Sequence, residues 1–166
     1  EKEIETRLAA KKLLAVCYCD LDRFKAFNDH YGFERGDRAI TLTAKVLLDA
    51  AKRFGNPDDF VGHIGGDDFI VVTTPDRSDA VCLAIIEQFD ARILQLYDEP
   101  DRARHHLVHT DRKGNLVIVG VMTISVAVVT NAQRTLTHLG PPDGTASPRG
   151  RHRRLRNVPQ DPQDLP

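Results

Sequence analysis

Apolar positions in this chain fall into short continuous runs and longer periodic stretches. Leu13 to Asp22 (LLAVCYCDLD) is short, nearly continuous and rich in β-branched and aromatic residues, which predicts a buried strand ending in acids. Phe24, Phe27 and Tyr31 recur at i, i+3, i+7, one face of a helix that Gly32 stops; they read as core residues. Ile40, Ala44, Leu47, Leu48 and Ala51 continue at helical spacing as far as Gly55, a second helix. Asn56-Pro57-Asp58-Asp59 reads as a turn. FVGHI and FIVVTT flank Gly65-Gly66-Asp67-Asp68 and predict a β-hairpin with those four residues at its tip. Ser78 is the expected N-cap of a long amphipathic helix running to Tyr97. Beyond it, β-rich segments surround a turn signal at Lys113-Gly114-Asn115, and Met122 to Thr130 alternates as a central strand does. Right-handed crossovers place the first strand beside the hairpin, with helices covering one face. The acids from Asp20 to Asp22 then lie close to Asp67 and Asp68.

Length and charge narrow the classes. A chain of 166 residues fits one domain with a real core. A formal net charge of −1 sets up no field that draws the chain to nucleic acid or membrane. No apolar run approaches a membrane span, and no signal peptide opens the chain. Cys17, Cys19 and Cys82 are odd in number, and the first two share one strand face, so buried thiols in a reducing, cytoplasmic setting are expected. Glu1 in place of Met reads as a piece of a longer protein, with Glu1 to Lys12 the end of a helix arriving from an upstream domain. After Gly140 the pattern fails: six of the nine prolines lie there without apolar periodicity, which reads as disorder. Its basic cluster, Arg149 to Arg156, has no interleaved aromatic residues and is expected to be a solvated tail rather than a nucleic-acid surface.

The candidate chemistry sits at the hairpin tip. A tight turn needs only one Gly and one Asx, so a second adjacent acid without a basic neighbour points to a cation. Crowded carboxylates are costly unless neutralised, and Mg²⁺, held by one or two carboxylates plus substrate phosphates, suits such a place. The turn at Asp22-Arg23-Phe24-Lys25 offers backbone N–H groups at a helix N-terminus, an anion site. A metal beside an anion site is the arrangement for a nucleoside triphosphate. Asn28 and Asp37 are placed to read a base: an Asn both donates and accepts, and a carboxylate accepts paired N–H bonds such as guanine offers.

DLDRFKAFNDHYGFERGDRAI followed by GGDDF resembles the GGDEF domain of diguanylate cyclases, over roughly Leu13 to Thr130. Asn28 stands eight residues past Asp20 and Asp37 seventeen, as the family pattern requires. The resemblance implies an α/β domain of the α+β sandwich kind, with a mostly antiparallel central sheet covered by helices, as in the nucleotidyl-cyclase palm and ferredoxin-like folds. It implies that two GTP molecules, one on each of two facing domains, become cyclic di-GMP. The partners implied are GTP, a second copy of the domain and an upstream sensor or receiver domain. By the same resemblance, Asp20 and Asp67 hold Mg²⁺, or Mn²⁺ in its place, with help from the Leu21 carbonyl. Phe24 and Lys25 belong to the phosphate turn, Gly65 and Gly66 to the GTP-binding hairpin, and Asn28 and Asp37 bind guanine. Asp67 or Asp68 helps deprotonate the attacking 3′-hydroxyl. The implied division is a linker helix at 1–12, the domain at 13–139 with an added hairpin at about 100–118, and a disordered or non-native tail at 140–166.

The chain departs from the family pattern at four places. The fourth motif residue, usually Glu, is Asp68, one methylene shorter. His63 stands where Arg is usual. The product-inhibition motif Arg-x-x-Asp is here Asn56-Pro57-Asp58-Asp59, so inhibition through bidentate guanidinium contacts is not expected. The family's C-terminal helix, whose Lys and Arg neutralise the γ-phosphate, has no match: NAQRTLTHLG starts a helix and the proline-rich tail takes over, as after a shift of reading frame. A second reading is therefore a catalytically weak domain acting as a GTP-binding or protein-interaction regulatory module. His105, His106 and His109 are expected to be surface histidines on a strand pair, and Asp22 a helix cap.

Overall fold

The computed structural model describes residues 2–110 and 116–132. The Lys113-Gly114-Asn115 turn, Asp111, the His109 side chain and everything past Ala132, including the tail, lie outside the described residues. The elements are α1 (Lys2–Ala9), β1 (Ala15–Asp22), α2 (Phe24–Tyr31), α3 (Phe33–Phe54), β2 (Phe60–Gly65), β3 (Asp68–Thr73) and α4 (Pro75–Ile93), followed by α5 (Glu99–Arg104), β4 (His106–Thr110), β5 (Leu116–Gly120) and β6 (Thr123–Thr130).

The four-stranded sheet has the order β2-β3-β1-β6, and every neighbouring pair is antiparallel. Each helical crossover skips a strand. The chain leaves β1 through α2 and α3 and returns as β2 beyond β3; it leaves β3 through α4 and ends as β6 beyond β1. The result is the expected antiparallel sheet with helices packed on it. β4 and β5 form a separate two-stranded ribbon.

Strand alternation makes the two faces chemically different. Cys17, Cys19 and Leu21 of β1 enter the main core with Phe69, Val71, Ile124 and Val126, against Val46, Leu47, Ala50, Ile85 and Phe89 of α3 and α4. The opposite face is apolar at one end, where Val16 and Val72 pack with Ile4 of α1, and acidic at the other, where Asp20, Asp22 and Asp68 stand. A register slip of one residue would turn these carboxylates into the core and the core residues to water. Burying one carboxylate unpaired costs several kcal/mol, at about 1.5–3 kcal/mol lost for each large apolar side chain exposed, so the register is strongly held. The three cysteines are free and buried, as expected. The Cys17 and Cys82 sulfurs lie 3.5 Å apart, and that contact, then burial, pushes the Cys17 thiol pKa up.

Several sequence expectations are corrected. Ser78 is not the N-cap of α4: the helix starts at Pro75, with Thr74 before it, because Pro presets the helical φ and has no N–H to satisfy. The Ser78 hydroxyl instead donates to the Pro75 carbonyl at 2.9 Å. The buried stripe of α3 is Gly36, Ala39, Thr43, Val46, Leu47, Ala50 and Ala51; of the expected positions Leu47 and Ala51 are in it, Leu48 faces solvent at 56% exposure, and Ile40 and Ala44 pack only on the core's margin. Residues 99–104 of the added segment are helical, and the hairpin proper has arms at 106–110 and 116–120. The helix expected in NAQRTLTHLG lies, from residue 133 on, outside the described residues; before it, the Asn131 Oδ1 accepts from the Leu14 N–H at 2.9 Å and clasps the start of β1.

α5 is tied to α2 by a polar cluster that periodicity does not reveal. The Tyr31 hydroxyl donates to Asp101 Oδ2 at 2.5 Å, Arg104 pairs with the same carboxylate, and His30 Nε2 lies 3.4 Å from it. Arg35 sits 4.5 Å over the Tyr31 ring and pairs with Asp98 at 2.8 Å. The Tyr31 bond, then Arg104 and His30, hold the Asp101 carboxyl below the usual carboxylate range despite its burial. A depressed folded pKa contributes stability above the unfolded pKa and loses it as pH falls through the folded value. Asp101→Asn is therefore expected to lower the melting temperature at pH 7 by the equivalent of about 1.5 kcal/mol. The gap from wild type closes on acidification below about pH 4, where the unfolded carboxylate also gains its proton. A gap that persists unchanged into acid in thermal melts would refute this account.

Candidate functional site

The acids come together because the sheet places them so. Asp20 lies directly opposite Asp68 across the β1–β3 pair, with Ser125 of β6 on its other side. Asp67 stands in the turn before β3. Gly66 has φ +57°, a backbone that L side chains rarely adopt, and this lets the chain reverse within Gly65–Asp68. His63 stacks on Phe69 at 4.5 Å, and its Nε2 donates to the Gly66 carbonyl at 2.9 Å, stapling the tip. Tyr18 lies two residues before Asp20 on the same face of β1. Burial raises its pKa first, then the charge of Asp68 and a hydrogen bond to it, then the charges of Asp20 and Asp67. One hydroxyl thus feels all three carboxylates.

Like charges directly opposite in an antiparallel pair destabilise it. A cation on that face removes the penalty, and the donors are hard carboxylate oxygens, so the set fits Mg²⁺. Among the described residues no three His, Cys, Asp or Glu side chains make a cage by themselves. Mg²⁺ held there would draw its remaining ligands from backbone carbonyl, phosphate and water, as Mg²⁺ usually does.

The turn into α2 follows at once. Arg23, in the position before the helix, has φ +66°, and α2 has no side-chain cap. The expected cap, Asp22, is engaged elsewhere: its Oδ2 accepts from Ser125 Oγ at 2.6 Å and Thr123 Oγ1 at 3.0 Å. With its Oδ2 engaged along the sheet, the Asp22 carboxylate does not serve as a side-chain cap for the first N–H groups of α2. Phe24 packs on the core while Lys25 stays exposed, 3.7 Å from Asp29.

The third part of the site is one turn further along α2. Asn28 is partly buried against Gly36 of α3, so close that a Cβ on Gly36 would lie 1.9 Å from its Oδ1. That oxygen is shielded from water and has no hydrogen-bond partner among the described residues. Asp37, the next residue of α3, is exposed at the same junction. An orphaned acceptor beside an open carboxylate suits a ligand with a row of N–H donors.

The sequence model for the diguanylate cyclase GGDEF domain matches residues 1–132. This chain belongs to the GGDEF family. The domain is 30% identical over 93 residues to the cyclic di-GMP phosphodiesterase PdeB of Shewanella oneidensis, covering 56% of this chain and 10% of that protein. It is 33% identical over 81 residues to the diguanylate cyclase TpbB of Pseudomonas aeruginosa, covering 49% and 18%. Among solved structures, the diguanylate cyclase SiaD of Pseudomonas aeruginosa, in complex with its activator SiaC, superposes with a TM-score of 0.50 over 78% of this chain and 42% of that chain. Its identity of 18% speaks to fold alone. The chain spans about a tenth of the length of the first curated relatives it matches.

Two features of this GGDEF domain bear on the departures from the family pattern. Asp59 accepts from the Asn56 backbone N–H at 2.9 Å and from its side-chain amide at 3.2 Å, so the carboxylate closes its own turn. His105 and His106 are surface residues of the added segment, with His106 Nδ1 2.8 Å from the Arg104 carbonyl. Three residues of the site escaped the sequence reading: Gly36, Tyr18 and Ser125. Gly36 had a visible signal, a lone glycine inside a helical pattern just before Asp37. Among the described residues no helix is long and apolar enough to cross a membrane.

Proposed function

We propose that this domain condenses two GTP molecules into cyclic di-GMP with Mg²⁺, one GTP on each of two facing copies, in the cytoplasm and under an upstream sensor or receiver domain. The observation that carries the reading is the orphaned Oδ1 of Asn28, packed on Gly36 and next to Asp37. Leaving a buried acceptor unpaired costs about 1–3 kcal/mol, a cost that a guanine N–H would remove. Asn28 and Asp37 together offer acceptors to the N–H donors of the guanine edge. The N–H groups of the α2 turn and the Lys25 ammonium receive phosphates. Held by Asp20, Asp67 and those phosphates, Mg²⁺ would lower the pKa of the 3′-hydroxyl and offset charge growing on the α-phosphate. Asp67 or Asp68 takes the hydroxyl proton as the 3′-oxygen bonds to the α-phosphorus, and the bond from that phosphorus to the β-phosphate oxygen breaks to release pyrophosphate. One domain holds one GTP, so the reacting hydroxyl and phosphate meet only across a pair of domains.

The test is product formation from GTP and Mg²⁺ at high protein concentration, followed by chromatography. Cyclic di-GMP is expected from the wild-type domain, and Asp67→Ala is expected to lower its rate at least about 10²-fold. Product formed equally by both proteins would refute the assigned site. The second reading, a GTP-binding regulatory module, is favoured by the shorter Asp68 and by the name of the relative PdeB, a phosphodiesterase. GTP binding in calorimetry without any product would select it.

A further inference from the structure

We propose that Asp22 is a positioning residue that clamps the metal-and-phosphate turn to β6 through the hydroxyls of Ser125 and Thr123. The inference rests on the cyclase reading of the site. Asp22 shares a strand face with Asp20, and its partner across the β1–β6 pair is Thr123. Its Oδ2 accepts two hydroxyl bonds from that strand, at 2.6 and 3.0 Å. Ser125 is 8% exposed and stands opposite Asp20, so its hydroxyl is turned to Asp22 from the centre of the acidic face. The next residue repeats the attachment: Arg23 Nη1 donates to the Val121 carbonyl at 3.2 Å.

Between these anchors lie the Leu21 carbonyl and the turn into α2, with Arg23 held at φ +66°. A non-glycine residue keeps that conformation only where its surroundings impose it. The clamp supplies the constraint. It also commits Oδ2 of Asp22 to two O–H bonds along the sheet rather than to the turn or a cation. Asp22 therefore acts through the placement of Leu21, Phe24 and Lys25 and touches neither metal nor nucleotide. Partners of this kind behind a metal site typically cost 10–100-fold in affinity when removed.

The test compares D22A, D22N, S125A and the double variant D22A/S125A in the whole chain. Mn²⁺ binding is read by electron paramagnetic resonance in the presence of a non-hydrolysable GTP analogue. Thermal melts check that each variant is folded. D22A is expected to weaken Mn²⁺ binding by about tenfold or more. D22N keeps an oxygen acceptor for the two hydroxyls and is expected to recover most of that loss. The double variant is expected to be no weaker than D22A, since both changes cut the same link. D22N as weak as D22A would overturn the proposal in favour of direct ligation by the charge, and additive losses would overturn the link to Ser125. Amide hydrogen exchange on the nucleotide-free protein gives an independent reading: D22A is expected to speed exchange in the segment from Leu21 to Lys25 at least severalfold. Unchanged exchange there overturns the clamp. A wild-type domain that binds neither ion nor nucleotide overturns the cyclase reading instead, and the exchange result then still decides the clamp.

Discussion

Gly36→Ala is expected to weaken GTP binding by about 10- to 100-fold while leaving the domain as stable as before or slightly more so. The added Cβ would lie 1.9 Å from Asn28 Oδ1, so the amide must swing away. Asn28 is a flexible side chain and can move at little cost, and Ala is favoured over Gly inside a helix by about 1 kcal/mol. Folding is therefore spared and recognition is not: the acceptor that the guanine edge needs has left its place. A tenfold loss corresponds to about 1.4 kcal/mol. Calorimetric titration with a GTP analogue and a thermal melt on the same sample measure both halves. Asn28→Ala should give a similar loss, and the double variant no more than either alone, because both remove one contact. Wild-type affinity in Gly36→Ala would show that the base binds elsewhere.

Asp68→Glu is expected to raise turnover by about tenfold or more. Asp68 lies directly opposite Asp20, and its carboxylate stops one methylene short of the usual family residue. Errors of about 1 Å in the placement of a reacting group can cost about 10²-fold in rate, so restoring the reach is worth a comparable factor. Asp68→Asn works in the opposite direction. It removes a like charge facing Asp20, so the metal-free domain should gain a few tenths of a kcal/mol. The same change should lower turnover, a trade of activity for stability that catalytic sites often show. Initial rates of cyclic di-GMP formation and melting temperatures without Mg²⁺ check the pair of variants. If Asp68→Glu turned over no faster than wild type, the short acid would not be what limits the domain.

Much of the frame was legible in the chain itself. The run Leu13 to Asp22 favoured a buried strand by its length and its β-branched and aromatic content, and strand alternation puts Cys17 and Cys19 on one face and Asp20 and Asp22 on the other. Gly65-Gly66-Asp67-Asp68 between two apolar runs read as a hairpin tip, and Gly66 is indeed in the left-handed region. These are local signals, because a period of two and a glycine-dependent turn are properties of neighbouring residues. What went astray depended on distant partners. Asp22 looked like a helix cap because Asp often caps, but Ser125 and Thr123, a hundred residues on, compete for its carboxylate. Ser78 lost its expected place to Pro75, and the core face of α3 was set by the sheet and α4 rather than by its most apolar positions.

The sequence by itself determined the family, the order of the core strands and helices through β3 and α4, and the identity of the acids, since motif spacing and hydrophobic period are written in neighbouring residues. Only the tertiary structure decided which of these acids face each other, which are already engaged, and which buried acceptor lacks a partner. The opposition of Asp20 and Asp68 comes from the β1–β3 register, the engagement of Asp22 from the pairing with β6, and the orphaned Asn28 from the approach of Gly36 across a helix junction. Each is a contact between residues far apart in the chain, fixed by packing and by hydrogen bonds between strands that no local pattern encodes.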